Sequence, residues 1–248
     1  MTETAQHTPK RARRRAVAAA ALAAALPLAG ACDLDGGLPG TPRPAAQATS
    51  DAGGEGQARG FDEAEFQEDL RSAATVTNGF WRRHWQGLFT GTYRPPRVRG
   101  LYDGRDPGSA PRCGGKPLEP GNAAYCPGGD YVAWDARLMR SGYARGDAWV
   151  YLVVAHEWGH AIQNRLRRNL VSAASELQAD CLAGAALYGA SKDGRLTFEK
   201  GDQQEIVAAF KVIGDKSPWT RPGDHGTSSQ RLRSFSRGGN GGAKACFS

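Results

Sequence analysis

Apolar residues recur every three or four positions from residue 61 onward, the spacing that collects them on one face of an α-helix. The first such stretch carries them at Phe66, Leu70, Ala74, Trp81, Trp85 and Leu88. Acidic residues near its start, where the helix dipole favours negative charge, indicate that this helix begins close to Phe61. We expect its two tryptophans, four residues apart, to pack in the core rather than stack on a ligand.

Similar patterns predict three more helices, at about 144–168, 172–189 and 200–213. A last helix is expected to begin at Thr227, because "TSSQ" is a capping box in which Thr227 and Gln230 satisfy each other's backbone amides. Alternation in "DYVAWD" at 130–135 predicts a short strand. Dense proline and glycine between 92 and 130 predict irregular chain. The pattern therefore indicates an α+β fold that is mainly helical.

The first 60 residues lack this periodicity. "KRARRR" at 10–15, a run of small apolar residues and "AGAC" at 29–32 have the composition of an export signal, which we place at 1–31. A retained membrane anchor is the alternative, but the apolar run is short for a span and is broken by Pro27. Residues 32–60, rich in Gly, Pro and Ala, predict a flexible tether. Residues 61–248 remain as one folded domain.

Cleavage before Cys32 has two interpretations. Ala29 and Ala31 satisfy the small-x-small rule of ordinary signal peptidase, which would give a freely secreted protein. The same stretch resembles a lipobox, after which bacterial lipoproteins are cut and lipidated on cysteine, although Ala29 stands where Leu is usual. We favour a lipoprotein attached to a membrane through Cys32. Both interpretations place the domain outside the cytoplasm.

Most of the positive net charge lies in the predicted export signal. Removing residues 1–31 takes away five basic residues and one acidic residue, so the net charge falls from +7 to +3. This balance gives little electrostatic reason to expect nucleic acid as a partner.

Four cysteines remain after Cys32, an even number that suits an oxidising compartment. Cys113 and Cys126 bracket a short loop rich in Gly and Pro, which favours this pairing among the three possible ones. Cys181 would then pair with Cys246. A buried free thiol at Cys181 is the alternative.

The stretch "YLVVAHEWGHAIQN" at 151–164 carries a candidate metal site. His156 and His160 are four residues apart on a predicted helix, so both imidazoles project from one face and can bind one Zn²⁺. Glu157 lies beside the first ligand, where it can act as general base on an attacking water. This is the HExxH signature, and the apolar run before it supplies the buried helix that the signature needs.

A catalytic zinc site needs a third protein ligand. One subclass of HExxH enzymes uses a downstream Gly and His, but here those places hold Gln163 and Leu166. "SELQAD" at 175–180 instead offers Glu176 and Asp180 on one helix face, as in the ExxxD of thermolysin-like gluzincins. That resemblance implies that Glu176 binds zinc and Asp180 accepts a hydrogen bond from a ligand histidine. A solvated helix face, or exchanged roles with Asp180 on zinc, are the alternatives.

Three further features have candidate roles. His225, in "GDHGTSSQR", would stabilise an oxyanion as a histidine does in gluzincins, or would only order the start of the last helix. Arg231 would pair with Asp180 or bind substrate. By analogy with zincins, the "YVAW" strand is expected to be the edge along which an extended peptide adds.

Four segments together resemble a bacterial family of neutral zinc metallopeptidases. They are "CGG" with "YCPGGDYVAWD", "HEWGHAIQ", "ELQADCLAGA" and "HGTSSQR", which occur in this order and span roughly residues 97–239. The resemblance implies a zincin-like fold with two packed active-site helices, one Zn²⁺ per chain, and a secreted or membrane-associated location. Ala161 departs from the family, in which many members carry a second histidine there, but it is not a proposed ligand.

These features predict an exported zinc endopeptidase that acts on a peptide or protein substrate. His156, His160 and Glu176 would hold the metal, and Glu157 would move the proton of the attacking water. The alternative is a non-catalytic zinc-binding envelope lipoprotein that serves in interaction or structure. The intact Glu157 favours catalysis.

Overall fold

The computed structural model describes residues 61–214 and 226–247. The predicted export signal at 1–31, the tether at 32–60 with Cys32, and His225 lie outside these ranges. Within them, no helix combines the length and apolar character that crossing a membrane requires.

The described residues form six α-helices and five short strands. The helices are α1 (Glu63–Leu88), α2 (Ala136–Tyr143), α3 (Ala148–Gln163), α4 (Ser175–Lys192), α5 (Asp202–Ile213) and α6 (Ser228–Gly241). The strands are β1 (Arg97–Tyr102), β2 (Arg112–Cys113), β3 (Lys116–Pro117), β4 (Ala123–Cys126) and β5 (Tyr131–Asp135). Two 3₁₀ turns occur at Arg168–Leu170 and Ala243–Phe247. The predicted α+β class with mainly helical content is confirmed.

The helix α3 lies at the centre of the core. It packs against α1, α2, α4 and α5 and also against β4 and β5. Fourteen of its sixteen residues are buried, so polar side chains on it need partners inside the protein. Trp81 and Trp85 of α1 are 0% and 3% exposed, which confirms that they pack in the core.

The helices α4 and α6 approach each other closely because glycines lie where they cross. A Cβ added at Gly184 of α4 would lie 2.0 Å from the carbonyl oxygen of Phe235. One added at Gly238 of α6 would lie 1.8 Å from the carbonyl oxygen of Cys181. The capping box predicted at Thr227 is present at the start of α6.

The three-stranded sheet has the order β1-β5-β4. Strand β5 is parallel to β1 and antiparallel to β4, and all five of its residues are buried. The prediction that "YVAW" forms an exposed edge is therefore wrong. The edge strand beside α3 is β4, which comes from the segment predicted to be irregular, and β5 is covered because pairing partners flank it on both sides.

One predicted helix differs from its bounds, and one helix was not predicted. The helix expected over 144–168 is α3 alone and ends at Gln163. Before it, Gly146 adopts φ 145°, a conformation that favours glycine, and this break separates α3 from the unpredicted α2. The buried carboxylate of Asp135 starts α2 by accepting hydrogen bonds from the backbone N–H groups of Arg137 and Leu138.

Both expected disulfides are present. Cys113 is bonded to Cys126 beside the sheet, and Cys181 of α4 is bonded to Cys246 in the last 3₁₀ turn. Disulfides of this kind are typical of proteins that fold outside the reducing cytosol.

Candidate metal centre

Two packed helices bring three potential ligands to one point. His156 Nε2 and His160 Nε2 of α3 lie 3.2 Å apart. Glu176, in the first turn of α4, places Oε2 3.2 Å from His156 Nε2 and Oε1 3.2 Å from His160 Nε2. The four-residue spacing puts both imidazoles on one face of α3, and α4 packs across that face.

These separations fit a zinc ion. Ligand atoms about 2.0–2.1 Å from a tetrahedral ion lie about 3.3 Å from one another. The two Nε2 atoms lie 3.2 Å apart, and each lies 3.2 Å from one of the two carboxylate oxygens of Glu176, close to that value. Two imidazoles and one carboxylate are also a donor set of catalytic zinc sites, in which the fourth position stays open.

His156 is oriented by a buried ion pair. Its Nδ1 donates to Asp180 Oδ1 at 2.8 Å, which leaves Nε2 directed at the other ligands. Asp180 is fully buried and receives two hydrogen bonds from Arg231, whose Nε lies 2.8 Å from Oδ2 and whose Nη2 lies 2.9 Å from Oδ1. Arg231 thus pairs with Asp180, and Asp180 is placed behind a ligand rather than among the three converging atoms.

His160 is oriented by a residue whose role the sequence did not reveal. Its Nδ1 donates to Gln163 Oε1 at 2.8 Å. From the sequence, Gln163 indicated only that the three-histidine motif is absent. Its position one turn after His160 was the available signal, since residues three apart on a helix are neighbours.

Glu157 is held at the centre by the backbone of β4. Its side chain is buried, and Oε2 accepts a hydrogen bond of 2.7 Å from the N–H of Tyr125. Backbone donors carry no signature in sequence, so this contact could not be predicted. It fixes one of the two carboxylate oxygens of Glu157.

The charges around the histidines favour their protonation in the absence of metal. Burial lowers the pKa of His156, but Asp180 and Glu176 more than offset this and raise it to about 10. Burial also lowers the pKa of His160, and the hydrogen bond to Glu176 raises it above the ordinary value. A metal ion at this site would therefore compete with protons for the same nitrogens.

An open cleft of about 770 Å³ lies over these residues. The edge strand lines it through Ala123 and Tyr125. Its apolar wall is formed by Leu138, Trp149, Val153 and Ile213. The volume is in the range of sites that accept ligands larger than a single amino acid. His225, the candidate for oxyanion stabilisation, lies outside the described residues.

A buried HExxH helix with a carboxylate-bearing helix packed beside it is the arrangement expected of the zinc-peptidase class. The chain belongs to the family described as "Putative neutral zinc metallopeptidase", whose model matches residues 21–247.

Two curated relatives are both described as "Uncharacterized protein YpfJ", one from Escherichia coli strain K12 and one from Escherichia coli O6:H1 strain CFT073. Each is 34% identical over 143 residues, a match that covers 46% of this chain and 49% of the relative. The chain thus spans about half the length of the curated relatives it matches. No solved structure matches the chain.

Proposed function

We propose that this protein is an exported zinc endopeptidase that hydrolyses peptide bonds. The observation that carries the proposal is the convergence of His156, His160 and Glu176, at 3.2 Å from one another, beside Glu157 in an open cleft. Membership of the zinc metallopeptidase family supports both the metal and the reaction.

The three converging side chains would hold one Zn²⁺. When bound, zinc supplies Lewis-acid chemistry, since it lowers the pKa of a water molecule and polarises the scissile carbonyl. The hydrogen bonds at Nδ1 of both histidines keep their Nε2 atoms free for the metal.

Glu157 is the proposed general base. Because Tyr125 N–H already occupies Oε2, the attacking water would lose its proton to Oε1. The same carboxyl group would then pass that proton to the leaving amine. Burial of Glu157 next to the ligands keeps the proton transfer within the site.

We infer that the substrate backbone binds along β4. Asp135 N–H donates to Asn122 O, so Asn122 faces β5 and the alternation of an antiparallel pair turns Ala123 and Tyr125 to the free edge. The bond from Tyr125 N–H to Glu157 agrees with this alternation. An extended peptide would pair with the remaining outward groups, the N–H and C=O of Ala123 and the C=O of Tyr125.

The proposed location of the domain is outside the cytoplasm. The two disulfides support an oxidising compartment. Export through residues 1–31, membrane attachment through Cys32 and an oxyanion role for His225 remain predictions. The partner would be a peptide or protein, with no nucleic acid.

The function is tested by comparing peptide cleavage by the native protein with cleavage by a variant that lacks the proposed base. The zinc-loaded protein is incubated with a broad peptide library, and new termini are identified by mass spectrometry, with a chelator-treated sample as reference. Glu157→Gln should retain zinc and the fold but lower cleavage by about 10²–10⁴-fold, because the base is lost. Glu199→Gln, at an exposed position, is the control and should cleave normally.

Two outcomes would contradict the proposal. Equal cleavage by Glu157→Gln and the native protein would eliminate the general-base mechanism. No cleavage by the zinc-loaded native protein across the library would favour a non-catalytic zinc-binding lipoprotein.

A further inference from the structure

Two buried side-chain amides connect by hydrogen bonds from Gln178 through Gln163 to His160. The Nε2 of Gln178 donates to the carbonyl oxygens of Leu170 at 2.7 Å and Cys246 at 3.1 Å. Carbonyl oxygens only accept hydrogen bonds, so these two contacts fix which end of the amide is nitrogen. The Oε1 of Gln178 accepts from Ser172 N–H at 3.0 Å on the other side.

The hydrogen-bond partners of Gln163 fix the orientation of its amide in the same way. Its Nε2 donates to the carbonyl oxygen of Ser175 at 2.7 Å and to Gln178 Oε1 at 3.1 Å, both of which are acceptors. Its Oε1 is therefore the atom that meets His160 Nδ1 at 2.8 Å. An oxygen at this position requires the imidazole to donate from Nδ1, so the single proton of a neutral His160 belongs on Nδ1 and leaves the lone pair on Nε2.

We propose that Gln163 and Gln178 are positioning residues for His160, anchored by the backbone carbonyl of Cys246. The inference rests on the proposed function for its metal. The disulfide from Cys181 to Cys246 holds that carbonyl against α4, so the last 3₁₀ turn belongs to the support of the metal centre. Gln178 and Gln163 are 2% and 8% exposed, which keeps water from competing for these bonds.

The two ligand histidines thus have different supports. A charged pair, Asp180 with Arg231, orients His156, whereas neutral amides orient His160. Glutamate would not replace Gln163, because it would put a carboxylate oxygen against the acceptors Ser175 O and Gln178 Oε1. The requirement at 163 is for a group that donates on one side and accepts on the other.

Zinc affinity of the full-length protein tests the proposal. Gln163→Met keeps the length and burial of the side chain but removes the acceptor for His160 Nδ1. We expect zinc to bind about 10–100-fold more weakly, as measured by competition with a chelator. Gln204→Met, at an exposed position on α5, is the control and should bind zinc as the native protein does.

A spectroscopic measurement separates positioning from a general loss of structure. In the Co²⁺-substituted protein, the Nδ1 proton of each bound imidazole gives its own shifted, exchangeable NMR signal. In Gln163→Met the His160 signal should exchange faster with water, while the His156 signal, protected by Asp180, stays unchanged. Gln178→Met should also speed the exchange of the His160 signal with water, but by less, because Gln163 keeps its bond to Ser175 O.

Unchanged zinc affinity in both variants, or equal changes in the two imidazole signals, would overturn the proposal. Circular dichroism checks folding, and if Gln163→Met does not fold, Gln178→Met gives the decisive measurement. None of these experiments uses a substrate. A native protein that binds zinc but cleaves no peptide would contradict the proposed function and leave this inference standing.

Discussion

At the scale of single residues, the centre is a set of buried polar groups held in place by hydrogen bonds to their neighbours. Asp180 has no exposed surface, and its charge is balanced by Arg231, which is 3% exposed. Arg231 also donates from Nη1 to the carbonyl oxygen of Ile213 at 2.9 Å, which leaves the guanidinium little freedom to turn. Asp180 and Glu176 stabilise a proton on His156 in the absence of metal, whereas the positive charge of Arg231 opposes it.

Stabilisation of the protein by zinc should therefore increase with pH. In the metal-free fold the pKa of His156 is about 10, whereas in the unfolded chain it is about 6.5. The stability due to this proton is complete below the unfolded pKa and is lost as the pH rises through the folded one. Zinc would replace this proton, so the unfolding free energy of the zinc-loaded protein would not fall with pH for this reason.

The expected difference in unfolding free energy between zinc-loaded and metal-free protein grows by about 1.4 kcal/mol per pH unit for each proton displaced. Urea unfolding at pH 6.5, 7.5 and 8.5, with free zinc held constant or removed by chelator, measures it. A difference that does not change with pH would show that zinc displaces no proton at this centre.

The sequence predicted the residues at the centre whose spacing follows from a helix. Four-residue intervals put His156 and His160 on one helix face and Glu176 and Asp180 on another, and the resemblance to gluzincins implied that the two pairs meet. Gln163 could not be assigned, because its role depends on the acceptors that fix its amide. The contact of Glu157 depends on a strand position that local pattern does not contain.

At the scale of secondary-structure elements, the centre depends on how closely α6 approaches α4. Arg231 lies on α6 and Asp180 on α4, so their contact requires the two backbones to meet without intervening side chains. Gly184 and Gly238 provide that space.

Alanine at Gly184 should therefore destabilise the protein, whereas alanine at Gly79 should not. A Cβ at 184 would overlap the backbone of α6, and overpacking of this kind costs about 1–3 kcal/mol of unfolding free energy. Gly79 is exposed on α1 with no atom within 4 Å of an added Cβ, so alanine there should stabilise by roughly 0.5–1 kcal/mol. Denaturant unfolding of both variants measures the contrast, and equal effects would contradict the proposed close packing.

The helices were predicted more completely than the strands, for a physical reason. Apolar periodicity is local, so α1, α4 and α5 could be placed to within a few residues from their own sequences. Strands β1 and β4 are defined by pairing with β5, and the proline and glycine around them conceal that pairing. The helix α2 has only Met139 and Gly142 buried, too few positions to show a period.

At the scale of the whole molecule, two disulfides close loops of different length. Cys113 and Cys126 are 13 residues apart, and Cys181 and Cys246 are 65 apart. The longer loop restricts the unfolded chain more.

Replacing both cysteines of one bridge by alanine should lower the unfolding free energy by roughly 4 kcal/mol for Cys181 and Cys246, and by roughly 3 kcal/mol for Cys113 and Cys126. Urea unfolding of the metal-free double variants measures both values without a contribution from zinc. A larger loss at the shorter loop would show that native contacts, rather than chain entropy, determine the effect.

The position of α6 along the chain has a consequence for the order of assembly during biosynthesis. A ribosome releases the HExxH helix well before Arg231 and Cys246, so a growing chain contains both ligand histidines before either has its complete support. We expect metal loading to follow the arrival of α6 rather than the emergence of α3. An incompletely synthesised chain would then lack a formed metal centre, and with it the peptidase activity proposed for the complete fold.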